Sequence, residues 1–89
     1  MDLLYAKSFS KDLDSIPKES RIKKALLKVI RAIQEADSVS ELTDVKKIKG
    51  DEGYYRIRIG EYRLGIKTVK NTVVLIRFIH RRDISRRFP

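Results

Sequence analysis

The chain has 89 residues, 42% of them apolar, and carries 21 Lys and Arg against 12 Asp and Glu, a formal net charge of +9. Such a length gives one small core and one domain spanning residues 1–89. With no cysteine and a single histidine, disulfides and thiolate metal sites are excluded, and neither a metal nor a cofactor is expected.

No apolar run approaches the roughly 18 residues of a membrane span. Asp2 and alternating polar residues follow Met1, so no secretory leader is expected and the cytoplasm is the expected compartment, without a membrane partner. The excess of cations calls for a partner of negative charge, most simply nucleic acid.

Leu3-Leu4-Tyr5-Ala6 is a short apolar strand. Ser8 or Ser10 is placed to cap a short helix whose apolar residues Phe9, Leu13 and Ile16 follow helical spacing. Pro17 ends that helix and suits the first turn of the next. From Lys18 to about Ala36 the helical pattern is the clearest in the chain: Ile22, Ala25, Leu26, Val29, Ile30 and Ile33 form one stripe. Arg21, Lys23, Lys24, Lys28 and Arg31 occupy the outer faces, where they solvate the helix. The two helices make a hairpin laid on a sheet.

Asp37 to Asp44 is a polar connection, with Leu42 and Val45 as anchors to the core. Val45 to Lys49 is a short edge strand whose lysines discourage pairing with another chain. Gly50-Asp51-Glu52-Gly53 turns the chain into three consecutive strands, Tyr54–Ile59, Tyr62–Val69 and Thr72–His80, joined by turns at Gly60-Glu61 and Lys70-Asn71. The last strand is nearly all apolar, as one covered on both faces would be. Arg82 to Phe88 forms one helical turn or a tail, docked through Ile84 and Phe88.

Strand alternation sets the chemistry. Tyr55, Ile57 and Ile59 share a face with Tyr62, Leu64 and Ile66 across the turn, so Arg56, Arg58, Arg63 and Lys67 emerge on the opposite face. Several cations on one sheet face make a surface for a phosphate backbone. The segment from Arg77 to Arg87 adds Arg77, His80, Arg81, Arg82, Arg86 and Arg87 against Asp83 alone. Arg77, in an apolar strand, is either part of that face or paired with an acid such as Glu61. His80 is either a general base or a strand end that hydrogen-bonds locally, with the second reading ahead. Tyr54, Tyr55 and Tyr62 are read as packing residues. The fold class is α+β, with an N-terminal strand and helical hairpin on one face of a mainly antiparallel sheet, β-α-α-β-β-β with the short edge strand Val45 to Lys49 added before the last three strands.

Lys46-Lys47-Ile48-Lys49-Gly50, the run Tyr55 to Ile66, the segment His80-Arg81-Arg82-Asp83-Ile84 and the closing Phe88-Pro89 together resemble the RelE/ParE superfamily of type II toxins, nearest its RelE-like branch. The resemblance covers almost the whole chain and is most specific over Tyr55 to Ile66. It implies a small toxin neutralised by an antitoxin, cutting mRNA in the ribosomal A site while contacting 16S rRNA. ParE-like relatives act instead on DNA gyrase, and a binding module without catalysis is a third reading. Carried over residue by residue, the resemblance makes Arg56, Arg58 and Arg63 the phosphate-binding catalytic set. Arg81 or Arg82 serves the leaving oxygen. Lys47, Lys49, Lys67, Arg77, His80 and Arg86 are expected to bind RNA. The departure is Ser85, where relatives with this ending usually carry a catalytic tyrosine.

Overall fold

The computed structural model describes all 89 residues. Strand β1 (Asp2–Tyr5) leads into helices α1 (Lys7–Asp14) and α2 (Arg21–Glu35). A single 3-10 turn at Val39–Glu41 precedes β2 (Val45–Lys47), β3 (Tyr54–Ile59), β4 (Tyr62–Val69) and β5 (Thr72–His80), and a last short helix, α3, spans Ile84–Arg87. One five-stranded sheet has the order β1-β5-β4-β3-β2. β1 runs parallel to β5, and every other pairing is antiparallel. The sequence-derived order and fold class hold.

The helical stripe becomes the core. Leu26, Ile30 and Ile33 are buried against Ile57, Ile59, Leu64, Ile66, Val73, Leu75 and Phe78 from the sheet, with Phe9 from α1. Ile22, Ala25 and Val29 are half-buried at its margin. On the other face of the sheet, Ile48, Ile84 and Phe88 form a smaller cluster with Tyr54, Ile76 and Ile79. The tail does dock through Ile84 and Phe88, and β5 is covered on both faces as expected.

The helix starts differ from expectation. Ala6, not a serine, occupies the position before α1 and makes no side-chain cap. Ser8 Oγ instead donates to the carbonyl of Ile76 at 2.6 Å, a partner that only folding brings near. Pro17 lies in the link between the helices rather than in the first turn of α2, which Ser20 caps by accepting from Lys23 N at 3.3 Å.

The bare sheet face between β2 and the tail is where the expected functional residues lie. Gly65 allows that arrangement: a Cβ built there would meet the Phe88 ring at 2.7 Å. Without a side chain at 65 the ring lies flat on the strand, so the tail closes one end of the face and leaves the other open.

Candidate nucleic-acid interface

Register places the cations. In β3, Ile57 and Ile59 are buried in the main core, so Arg56 and Arg58 project from the opposite face. Across the β3–β4 ladder Arg58 lies opposite Arg63, and on the other side Arg56 lies opposite Lys46 of β2. Two like charges directly opposite in a ladder destabilise it, and no acid sits between either pair. Arg81 and Arg82 come in from the turn after β5. These residues, with Asp44, Val45 and Ile84, line a recess of about 480 Å³.

Each arginine is held differently. Arg63 folds back on the β3–β4 turn, its NH1 donating to the carbonyls of Gly60 (3.0 Å) and Tyr62 (2.8 Å). Arg56 NH1 lies 3.4 Å from Ser85 Oγ, while its buried Nε has no acceptor. Arg81 Nε donates to Glu61 Oε2 at 2.7 Å. That hydrogen bond, and the guanidinium charge behind it, hold the Glu61 carboxyl below the usual carboxylate range. Arg82 donates from its backbone N (3.2 Å) and its Nε (3.3 Å) to His80 Nδ1, and no carboxylate pairs with it.

The recess brings together Arg56, Arg58, Arg63, Arg81 and Arg82, with Ser85 beside Arg56. Both Arg81 and Arg82 reach it, so their expected roles are not mutually exclusive in space. The other expected contacts lie elsewhere. Arg77 is taken by Asp12 of α1, with Nε and NH2 both at 2.8 Å, and not by Glu61. The bond to Asp12 raises the Arg77 pKa further above its already high value. His80 packs edge-on against Tyr62 and makes the local contacts to Arg82, the reading placed ahead in the sequence. Lys67 Nζ sits 5.1 Å from the centre of the Tyr54 ring. Lys47 and Lys49 flank the β2–β3 loop, and Arg86 pairs with Asp83 at 3.1 Å. None of these six lines the recess.

Lys46 and Asp44 are the lining residues that sequence reasoning missed. The signal for Lys46 was available: with Val45 facing the core, alternation puts Lys46, not Lys47, beside Arg56. Asp44 had no such signal. It takes a left-handed backbone conformation, φ 57°, and its carbonyl accepts from Arg58 N at 3.0 Å, extending the ladder by one bond. No group of three or more His, Cys, Asp or Glu side chains lies together as a metal site would require, and no helix is long and apolar enough to cross a membrane.

Residues 3–85 match the family model described as ParE toxin of type II toxin-antitoxin system, parDE, which places the chain among the toxins of such systems. The chain belongs to the RelE/ParE superfamily, as a toxin of the RelE family. It is 42% identical to Toxin RelE3 of Methanocaldococcus jannaschii over 90 residues, covering 100% of both chains. To Putative toxin RelE1 of the same organism it is 31% identical, over 89% of this chain and 87% of that one. Among solved structures, the toxin of the RelB-RelE antitoxin-toxin complex from Methanococcus jannaschii superposes with a TM-score of 0.81 at 41% identity, covering 97% of this chain and 99% of that one. The RelBE2 toxin-antitoxin complex from Mycobacterium tuberculosis gives a TM-score of 0.65 at 27% identity, over 90% and 96% of the two chains.

Proposed function

We propose that this toxin is an endoribonuclease that cuts mRNA in the ribosomal A site and so stops translation in the cytoplasm. The observation that carries the reading is the convergence of Arg56, Arg58, Arg63, Arg81 and Arg82 on one recess. In the proposed reaction the 2′-oxygen attacks the adjacent phosphorus, the bond to the 5′-oxygen breaks, and negative charge accumulates on the phosphorane oxygens. Guanidinium forks suit those oxygens because they stay charged and donate two parallel bonds. Arg56, Arg58 and Arg63 hold the phosphate. Arg82 serves the leaving oxygen, since Arg81 is engaged by Glu61 whereas Arg82 has no carboxylate partner.

Guanidinium groups do not take up the 2′-OH proton. In this scheme the Asp44 carboxylate, which with Lys46 makes up the other ionisable lining side chains, takes up that proton, the leaving 5′-oxygen is protonated from solvent, and no metal is needed. Positioning of the mRNA by the ribosome supplies a further share of the rate. The resemblance places Ser85 where such toxins usually carry a tyrosine, and on this reading the missing ring and hydroxyl lower the rate. Its partner is an antitoxin, as in the similar RelB-RelE antitoxin-toxin complex.

The test is primer extension on a defined mRNA in a purified translation system. Wild type should cut at A-site codons only with ribosomes present. Arg63→Ala and Arg82→Ala should each lower the rate by about 10²–10³, the cost of losing one oxyanion donor, and Ser85→Tyr should raise it. A second reading, inhibition of DNA gyrase, is favoured by the ParE description of the matching family model. No cutting by wild type or Ser85→Tyr, with loss of supercoiling by purified gyrase, would replace the first reading by the second.

A further inference from the structure

The tail that closes one end of the recess carries a hydroxyl that the scheme above leaves idle. Ser85 is the second residue of α3 and is exposed, while Ile84 before it and Phe88 after it are only 2% and 3% exposed. Those two anchors fix where the Ser85 side chain stands. Its Oγ lies 3.4 Å from Arg56 NH1, longer than the usual N–H···O distance of about 2.9–3.0 Å. Arg56 forms no ion pair, and its Nε is buried without an acceptor. A neutral hydroxyl therefore stands where a guanidinium has donors to spare.

The residues around Ser85 are a second, independent observation. Arg82 and Arg81 stand three and four positions before it, and Arg86 and Arg87 follow it directly. No other serine or threonine of the chain has an arginine at either of those preceding positions. Kinases choose substrates by the charge pattern around the acceptor hydroxyl, and this pattern suits a serine kinase with an acidic substrate cleft. Asp83 does not cancel it, being paired with Arg86.

We propose that Ser85 is a phosphorylation site for a serine kinase that selects basic substrates, and that the phosphoryl group, held by Arg56, closes the recess to RNA. In the step, Ser85 Oγ attacks the γ-phosphorus of ATP on the kinase. The bond from that phosphorus to the β,γ-bridging oxygen breaks, ADP leaves, and the hydroxyl proton passes to the base of the kinase. The product carries three acceptor oxygens and a charge of about −1.5 to −2 near neutral pH. Arg56 then meets it with a charged fork in place of one long bond, and the unpartnered Nε gains an acceptor. The substrate phosphate needs that same fork, so the modified tail takes its place with a phosphate of its own. Closure of the recess to RNA rests on the reading given under the proposed function; capture of the phosphoserine by Arg56 does not.

The experiment treats the folded chain with ATP and the catalytic subunit of cyclic-AMP-dependent protein kinase, a probe that selects basic substrates. Expected is a single phosphoryl group, located by mass spectrometry on the tail and absent from Ser85→Ala. Phosphorus NMR then follows the second ionisation of the phosphoserine, ordinarily at about pH 6. It should be lowered in the folded chain. It should return to its ordinary value in Arg56→Gln, and partly in Arg56→Lys, which keeps the charge without the fork. Affinity for a fluorescent single-stranded RNA should fall about ten- to a hundredfold on phosphorylation, the worth of one charged contact, and recover after phosphatase. A free peptide of residues 79–89 is the control for recognition. Modification of neither peptide nor chain, of the peptide alone, or of another residue would overturn the proposal. So would a phosphoserine that titrates alike in wild type and Arg56→Gln, or an RNA affinity that phosphorylation leaves unchanged. An unmodified chain that binds no RNA, with Arg56 still capturing the phosphoserine, would instead sink the reading of the recess and leave the phosphorylation site standing.

Discussion

At the scale of single residues, the two positions that shape the recess without binding in it are the most informative. Gly65 is one. Its missing Cβ makes room for the Phe88 ring, which is only 3% exposed. Gly65→Ala should lower stability by about 1–3 kcal/mol through overpacking, read as a shift of the urea midpoint, and a further Phe88→Ala should recover little beyond the clash because it opens a cavity. Glu61 is the other. Its carboxyl pKa is depressed, chiefly by the hydrogen bond from Arg81 and then by the Arg81 charge. A depressed carboxylate contributes above its unfolded pKa and loses that contribution as pH falls through its folded pKa. The Arg81–Glu61 pair should therefore persist through the ordinary carboxylate range and release Arg81 only below it. Glu61→Gln should tighten RNA binding several-fold at pH 7 and remove any extra tightening of wild type at acid pH. Equal affinities for Glu61→Gln and wild type at pH 7 would show that Arg81 is not restrained by this pair. The pair is fully exposed and adds nothing that a melt would detect.

At the scale of elements, the outlines were legible and the joints were not. The limits of β3, β4 and β5 follow from alternation and turn residues alone, and the buried stripe of α2 from its period. What alternation does not give is the parity change in β5. Its core residues are Val73, Leu75 and Phe78, two odd and one even. The register passes from Ile66 opposite Leu75 to Gly65 opposite Arg77, leaving Ile76 as an extra residue. A bulge of this kind bends a strand and re-aims its side chains, here turning Ile76 and Ile79 toward the tail cluster. Beyond Leu75 the edge of β5 is no longer covered by β1, and α1 takes its place. Asp12 accepts from Phe78 N at 2.9 Å and from both Arg77 nitrogens, standing in for a missing strand. No sequence pattern joins residue 12 to residue 77, which is why Arg77 read as a candidate for RNA. Asp12→Ala leaves a mostly buried guanidinium and a backbone N–H without acceptors and should cost about 2–4 kcal/mol. The amide of Phe78 should then exchange faster than its neighbours in β4. Asp12→Asn, keeping one acceptor, should cost less.

At the scale of the whole molecule, charge works against the fold that carries it. Twenty-one cations face 12 acids, yet only three ion pairs form, and one of them is an exposed neighbour pair on the short α3. Of the unpaired cations, Lys46, Arg56, Arg58, Arg63 and Arg82 line the recess, and the others are spread over the rest of the chain. That distribution was legible in part: the sheet face came from strand parity, while the enclosure of the recess by β2 and the tail needed contacts between residues far apart in the chain. Net charge of this size destabilises a compact state by self-repulsion, and salt screens it over about 10 Å at 0.1 M. Salt should therefore move stability and RNA affinity in opposite directions. From 50 mM to 0.5 M sodium chloride the Tm should rise by several degrees, and more so in sulfate, which also strengthens apolar burial. Over the same range log K for RNA should fall linearly with log salt. If ion pairing held the fold together, both would fall. A Tm that drops or stays flat with added salt would mean that the cations are neutralised within the fold, and then the recess would hold no charge in reserve for a phosphate backbone.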